Sequence, residues 1–246
     1  MPQSWDVEKL DTYIQCPLKY KFKYIDKVPA RLRLYTALET LLTPMLYETV
    51  ARRDELDFND PEPMMAELAV RAKLMQQDLA LDYGGISRSL LAAARRLYVQ
   101  WYRDHFRYWR YCGHGMDVTG AFGKGGHHIS LEGRVPFVFS DSILTIRFSP
   151  MKRLMPSISD TLLSACAHSP NIRLLTFRTK KLGVYKKEAL VSKANAEFAI
   201  DAAKRAVRGI KRNHFCPAHP FSHTCDSKYC TYFMHCKRYR FSAKST

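Results

Sequence analysis

The chain has 246 residues, 46% of them hydrophobic, enough to fill the core of one domain of ordinary size or a core with an inserted subdomain, which excludes a disordered tail. Lys and Arg number 39 against 23 Asp and Glu, and the resulting +16 points to a polyanionic partner, nucleic acid first, rather than to charge kept for solubility alone. No uncharged apolar run reaches the ~18 residues of a membrane span, and Asp6, Glu8 and Asp11 stand where a signal peptide needs an apolar core, so a soluble cytoplasmic protein is expected.

In chain order, Val7 to Tyr24 reads as a short helix, a Cys16-Pro17 break, and an alternating run from Lys19 to Tyr24 that suits a strand or a packed turn. Leu34 to Arg52 is apolar at helical spacing, with Pro44 expected to kink or restart it. A Pro-rich loop at Asn59 to Pro63 precedes a second helix from Met64, and Ser87 begins a third whose Leu90, Leu97, Trp101 and Tyr102 form a core stripe. Its aromatic, basic end, Phe106 to Tyr111, reads more readily as core than as a base-stacking surface.

After a glycine-rich stretch the period changes to alternation, predicting a hairpin from Ile129 to Phe139 and Ile143 to Phe148 around Ser140-Asp141-Ser142. A short helix over Pro156 to His168, a strand over Ile172 to Phe177, a turn at Gly183 into a partner strand and a last helix from Ser192 to Lys211 complete the order. Such a mixture predicts an α+β fold, a small mixed sheet flanked by helices. Four segments are expected: 1–33, a helical lobe over 34–112, a core over 113–215, and a Cys-rich end over 216–246.

The cysteines number seven, four of them between Cys216 and Cys236, a spacing that in a reducing compartment favours metal ligands over disulfides. The run Asp11 to Phe22, with Cys16-Pro17 after a helix and an aromatic-basic stretch behind it, resembles the start of RecB/AddB-like PD-(D/E)XK nucleases that carry an iron-sulfur cluster. Gly209, Phe215 and Pro217 before Cys225, Cys230 and Cys236 resemble the closing segment of the same family, which includes CRISPR-associated RecB-like exonucleases. The resemblance implies a restriction-endonuclease-like fold and a [4Fe-4S] cluster held by Cys16, Cys225, Cys230 and Cys236. Four residues separate Cys225 from Cys230 where that family has two. A local zinc site drawn from Cys216, Cys225, Cys230 and Cys236 with His219, His223 or His235 is the alternative, since zinc takes the same donors. Cys112 and Cys166 read as packed thiols.

The resemblance further implies an Asp on one strand of the hairpin and an Asp/Glu-x-Lys on the next, carboxylates for magnesium and a lysine for the attacking water. Here Pro136 takes the place of the first Asp, Arg147 that of the second acid and Ser149 that of the lysine. The catalytic roles are therefore vacant, and Arg147 is expected either to hold phosphate or to pair with a neighbouring acid such as Glu132. Glu132, Asp141, Asp160, His127 and His128 are the residues from which a relocated site would be built.

Charge gathers at the C-terminal side: residues 204–244 hold ten Lys or Arg and one acid, Asp226. On the last helix Lys204, Arg205, Arg208, Lys211 and Arg212 fall away from an Ala-rich core stripe, and Lys180 and Lys181 add cations in the preceding turn. The expected function is a non-catalytic binder of DNA or an RNA-DNA hybrid within a CRISPR-associated or recombination complex. A nuclease with relocated ligands and an adaptor for an acidic protein are the alternatives.

Overall fold

The computed structural model describes residues 4–30, 34–57, 59–83, 88–109, 112–113, 115–123, 128–149, 155–218, 225 and 230–236. The elements run β1 (Ser4–Asp6), α1 (Val7–Gln15), α2 (Pro17–Tyr20), a π-helical turn (Lys21–Ile25), α3 (Leu34–Ala51), α4 (Glu62–Tyr83), α5 (Arg88–Asp104) and a 3-10 turn (Phe106–Trp109). They continue β2 (Met116–Phe122), β3 (Ile129–Val135), β4 (Phe137–Val138), β5 (Ile143–Ser149), α6 (Ile158–Cys166), β6 (Asn171–Arg178), β7 (Gly183–Leu190) and α7 (Lys193–Lys211).

Two sheets form: a three-stranded one in order β1-β3-β2 and a four-stranded one in order β4-β5-β6-β7. β5 and β6 are parallel neighbours, with α6 as their crossover, while β6 and β7 make the expected hairpin. The hairpin predicted from Ile129 to Phe148 is divided between the sheets. Val135 closes the ladder of β3, Pro136 bends the chain, and only Phe137 and Val138 pair with Leu144 and Ile143. A proline supplies no ladder N–H, which is why it stands between strands and not inside one.

Alternation along β5 assigns its two faces. Leu144 and Phe148 join a core with α3, α4, α5 and the buried Trp109. Ile143 faces a second core with α1, α6, α7, Leu131 and Val135. The helices of 34–112 thus share their core with the sheet. Trp101, Tyr102, Phe106 and Trp109 are all buried in it, their ring centroids 4.6–6.3 Å apart, so these aromatics pack inside.

Three local results differ from the sequence expectation. α3 runs through Pro44 because both Pro44 and Thr40, whose carbonyl loses its helical donor, face solvent. Lys21 to Ile25 is a widened helical turn, neither strand nor loop. Met116 to Phe122, hidden by its glycine-rich setting, is a full strand. Among the described residues no helix is long and apolar enough to cross a membrane.

Candidate nucleic-acid interface and metal centre

α7 is capped by Ser192, whose hydroxyl accepts from the Asn195 N–H, and it buries Ala199, Ala202, Ala203, Ala206 and Val207 against α1 and α6. The small side chains let the helix lie close, and the long cations take the other face. Arg205, Arg208, Lys211 and Arg212 are exposed and Lys204 is half-buried; none of the five has an acidic partner among the described residues. Arg205, Arg208, Gly209, Arg212 and His214 line an open basin of about 340 Å³. Gly209 is there of necessity: a Cβ would overlap the Tyr13 hydroxyl. That hydroxyl donates to the His214 carbonyl at 2.5 Å, fixing the basin's rim to α1. Lys180 and Lys181 are exposed in the turn between β6 and β7.

The rim leads into the cysteine segment. The Leu18 N–H donates to the Cys216 carbonyl at 3.1 Å, and Cys16 Sγ accepts from the N–H groups of Lys19 and Ala218, each at 3.4 Å. Cys225 Sγ lies 3.5 Å from the Ala218 carbonyl. Leu18, Phe22 and Tyr232 form a small apolar cluster against which Cys16, Cys230 and Cys236 pack. Burial pushes the Cys230 thiol up, and Cys16 and Cys225 are near enough to raise it further. Residues predicted as ligands from opposite ends of the sequence therefore approach one another.

Among the described residues no three His, Cys, Asp or Glu side chains stand in metal-holding geometry. The donor chemistry nevertheless suits a thiolate-bound metal or cluster: N–H groups aimed at sulfur and an apolar shell are the surroundings that stabilise metal thiolates. His219 and His223 lie outside the described residues, and His235 is exposed. Cys112 and Cys166 are buried in the two large cores, outside the cluster against which Cys16, Cys230 and Cys236 pack, and burial raises each thiol to about 11.

At the third site, β5 presents Thr145, Arg147 and Ser149 toward α1 and α6. Arg147 is ion-paired with Asp160, not with Glu132, and its Nη1 donates to the Met155 carbonyl at 3.0 Å. Asp160 is buried at the start of α6, where it also completes a capping box with Ser157. Arg147 is thus held among protein acceptors and is poorly placed as a phosphate ligand. Asp11 of α1 enters the same cleft. Gln15 Nε2 donates to it at 2.7 Å, and burial raises its carboxyl more than Arg147, Gln15, Ser159 and Lys19 lower it.

Glu39 of α3, with solvent-exposed surface, is raised in the same way, by burial and then Glu8, against Lys23 and Lys19. Of the residues considered for a relocated site, only Asp160 meets Arg147. Glu132 is exposed on β3, Asp141 accepts from Ser142 and Arg173, His128 is exposed, and His127 lies outside the described residues. The sequence reading overlooked Asp11. Its place on a helix quoted for its cysteine drew no attention to it.

No family model matches the chain, and no curated protein is similar to it in sequence. Among solved structures it is similar to one named "Putative exonuclease" from Eubacterium rectale, with a TM-score of 0.55 and 10% identity over 90% of this chain and 86% of that one. SSO0001, at a TM-score of 0.37 and 12% identity over 67% of this chain, is too loosely alike to bear on the fold. The chain shares with that structure an α+β fold of small mixed sheets flanked by helices.

Proposed function

We propose that this chain is a non-catalytic nucleic-acid-binding protein on a nuclease-like scaffold. The observation that carries the reading is α7, where Lys204, Arg205, Arg208, Lys211 and Arg212 have no acidic partner among the described residues and the three arginines line one basin. Cations arranged this way bind a phosphate backbone without reading bases, and the binding weakens steeply with salt. The Arg147–Asp160 pair supports the absence of catalysis, because a cation already occupies the place where a metal-binding carboxylate is expected.

Cys16, Cys225, Cys230 and Cys236 are the residues that would hold a [4Fe-4S] cluster or a zinc ion. When bound, either group would serve as a structural tie between α2 and the segment after α7. DNA or an RNA-DNA hybrid is the partner we infer, with further subunits of a CRISPR-associated or recombination complex. The test is fluorescence anisotropy with a labelled oligonucleotide over a salt titration. Binding that falls linearly in log affinity against log salt is expected, and an absence of binding at about 50 mM salt overturns the reading.

A second reading has its own observation: Asp11 and Asp160 flank Arg147 while Lys19 and Glu39 lie in the same electrostatic neighbourhood. Two carboxylates and a lysine are the parts of a metal-dependent nuclease. Cleavage of DNA with Mg²⁺ or Mn²⁺ that is lost in Asp11→Asn would favour this reading over the first.

A further inference from the structure

We infer that Arg178, at the C-terminal end of β6, is the centre of a second phosphate seat, separate from the basin on α7. The inference rests on the nucleic-acid reading above and supplies a contact that reading does not contain. Arg178 Nε is buried without a hydrogen-bond partner among the described residues. A guanidinium N–H withdrawn from water and left without an acceptor is costly, and an anion supplies the missing acceptor together with the opposite charge.

The surroundings suit an anion. In the parallel ladder Ser149 stands directly beside Arg178, and the Thr179 N–H donates to the Ser149 carbonyl at 2.9 Å, so the two strand ends are locked together. On the other side Arg178 faces Gly183, whose missing side chain leaves room over which the Tyr185 ring lies; a Cβ there would come within 3.2 Å of that ring and its hydroxyl. Lys180 and Lys181 follow in the exposed turn, and neither they nor Arg178 has an acidic partner among the described residues. Glu188 of β7 stands opposite Arg173, five residues down the ladder from Arg178, and is engaged by Arg173 and Lys186. The result is one guanidinium and two ammonium groups at one hairpin tip, with no carboxylate among the described residues left to neutralise them.

Arg178 and Arg147 project from adjacent strands toward the same side of the sheet, but their situations are opposite. Arg147 is neutralised by Asp160, whereas Arg178 has no acidic partner among the described residues. A phosphodiester of a bound strand is the ligand that the charge and the donor set favour, because it offers a fixed anionic oxygen without needing a base contact.

Two probes test the seat: a labelled single-stranded oligonucleotide in a salt titration, and inorganic pyrophosphate in a thermal-shift assay, each applied to the full chain, Arg178→Gln and Arg178→Lys. The expected result is an affinity loss of about tenfold in Arg178→Gln and a log–log salt slope smaller by about 0.7, the share of one phosphate on a single strand. Lysine should restore the slope more than the affinity, since it keeps the charge and loses Nε. If the full chain binds the oligonucleotide and Arg178→Gln matches it in affinity and slope, the seat is overturned and the nucleic-acid reading stands. If the oligonucleotide does not bind but pyrophosphate stabilises the parent and not Arg178→Gln, the seat stands and the nucleic-acid reading falls. If neither probe acts on the parent, the seat is overturned as well.

Discussion

Arg147 on β5 and Asp160 on α6 form a largely buried ion pair that joins the end of a strand to the first turn of the helix after it. Each group is the counter-charge of the other, and neither has ready access to water. Breaking such a pair from one side is more damaging than its net worth implies, since the survivor remains buried and unpaired. Arg147→Gln is expected to lower unfolding free energy by about 3 kcal/mol or more in urea titration. Asp160→Ala should cost about 1 kcal/mol beyond that, through loss of the capping box with Ser157.

Replacing Arg205, Arg208 and Arg212 together by Gln should abolish most oligonucleotide binding and flatten its salt dependence, by about 0.7–0.9 in slope for each phosphate that is no longer neutralised. Stability should move by no more than ~0.5 kcal/mol per site, because these side chains are exposed and bear no ion pair among the described residues. Anisotropy and thermal unfolding on the same preparations check both halves.

Gly209→Ala is predicted to destabilise although alanine is the better helix former by about 1 kcal/mol. The added Cβ overlaps the Tyr13 hydroxyl, and moving that ring costs its hydrogen bond to His214. A net loss of about 1–3 kcal/mol is expected. Tyr13→Phe should recover part of it, so the double variant should be less damaged than the two single losses added.

Asp11 carries a pH signature. Its carboxyl is raised in the folded state, so folding binds a proton more readily than the unfolded chain does, and the associated stability is present at acid pH and lost as pH rises through the folded value. Asp11→Asn, which keeps a side-chain oxygen to accept from Gln15, should therefore be more stable than the parent at neutral pH. The gain should vanish below the ordinary carboxylate range. Denaturant midpoints at about pH 7 and about pH 3.5 decide it, and equal gains at both overturn the assignment.

Cys16→Ser should lower bound iron or zinc and Tm together, by about 2–4 °C for each kcal/mol of binding energy removed in a chain of this size. Metal analysis and a visible spectrum of anaerobically purified protein separate cluster from zinc. Cys166→Ser should leave the metal content unchanged, because that thiol lies in the core of β2 and α6.

Much of the second half of the fold is legible in the sequence. Ser157 with Asp160 announces α6, Gly183 turns β6 into β7, and the Ala stripe of α7 specifies its inner face. The N-terminal strand β1 and the strand β2 are not legible, because one has three residues and the other owes its pairing to β3 and not to its own composition. The hairpin around Ser140 reads as continuous because alternation passes through Pro136 unbroken, while the missing N–H shows only in three dimensions. At the candidate site, the convergence of Cys16 with the late cysteines is what the resemblance of the two ends to a known family implies, and not something their spacing shows. The partner of Arg147 is not legible, since the expected hairpin sets Glu132 on the strand before it, whereas the crossover helix α6 delivers Asp160.

The hydrogen bond from Tyr13 to His214 spans 201 residues, and that from Ala218 to Cys16 spans 202. At ~5–20 residues per second of synthesis, α1 waits roughly 10–40 s on the ribosome before its partners exist. During that interval Leu18 and Phe22, fully or nearly fully covered in the finished fold, have no Tyr232 to cover them. The N-terminal helices are thus made about 200 residues before the segment that secures them, which makes the nascent chain, more than the finished molecule, the state most exposed to chaperones and to aggregation.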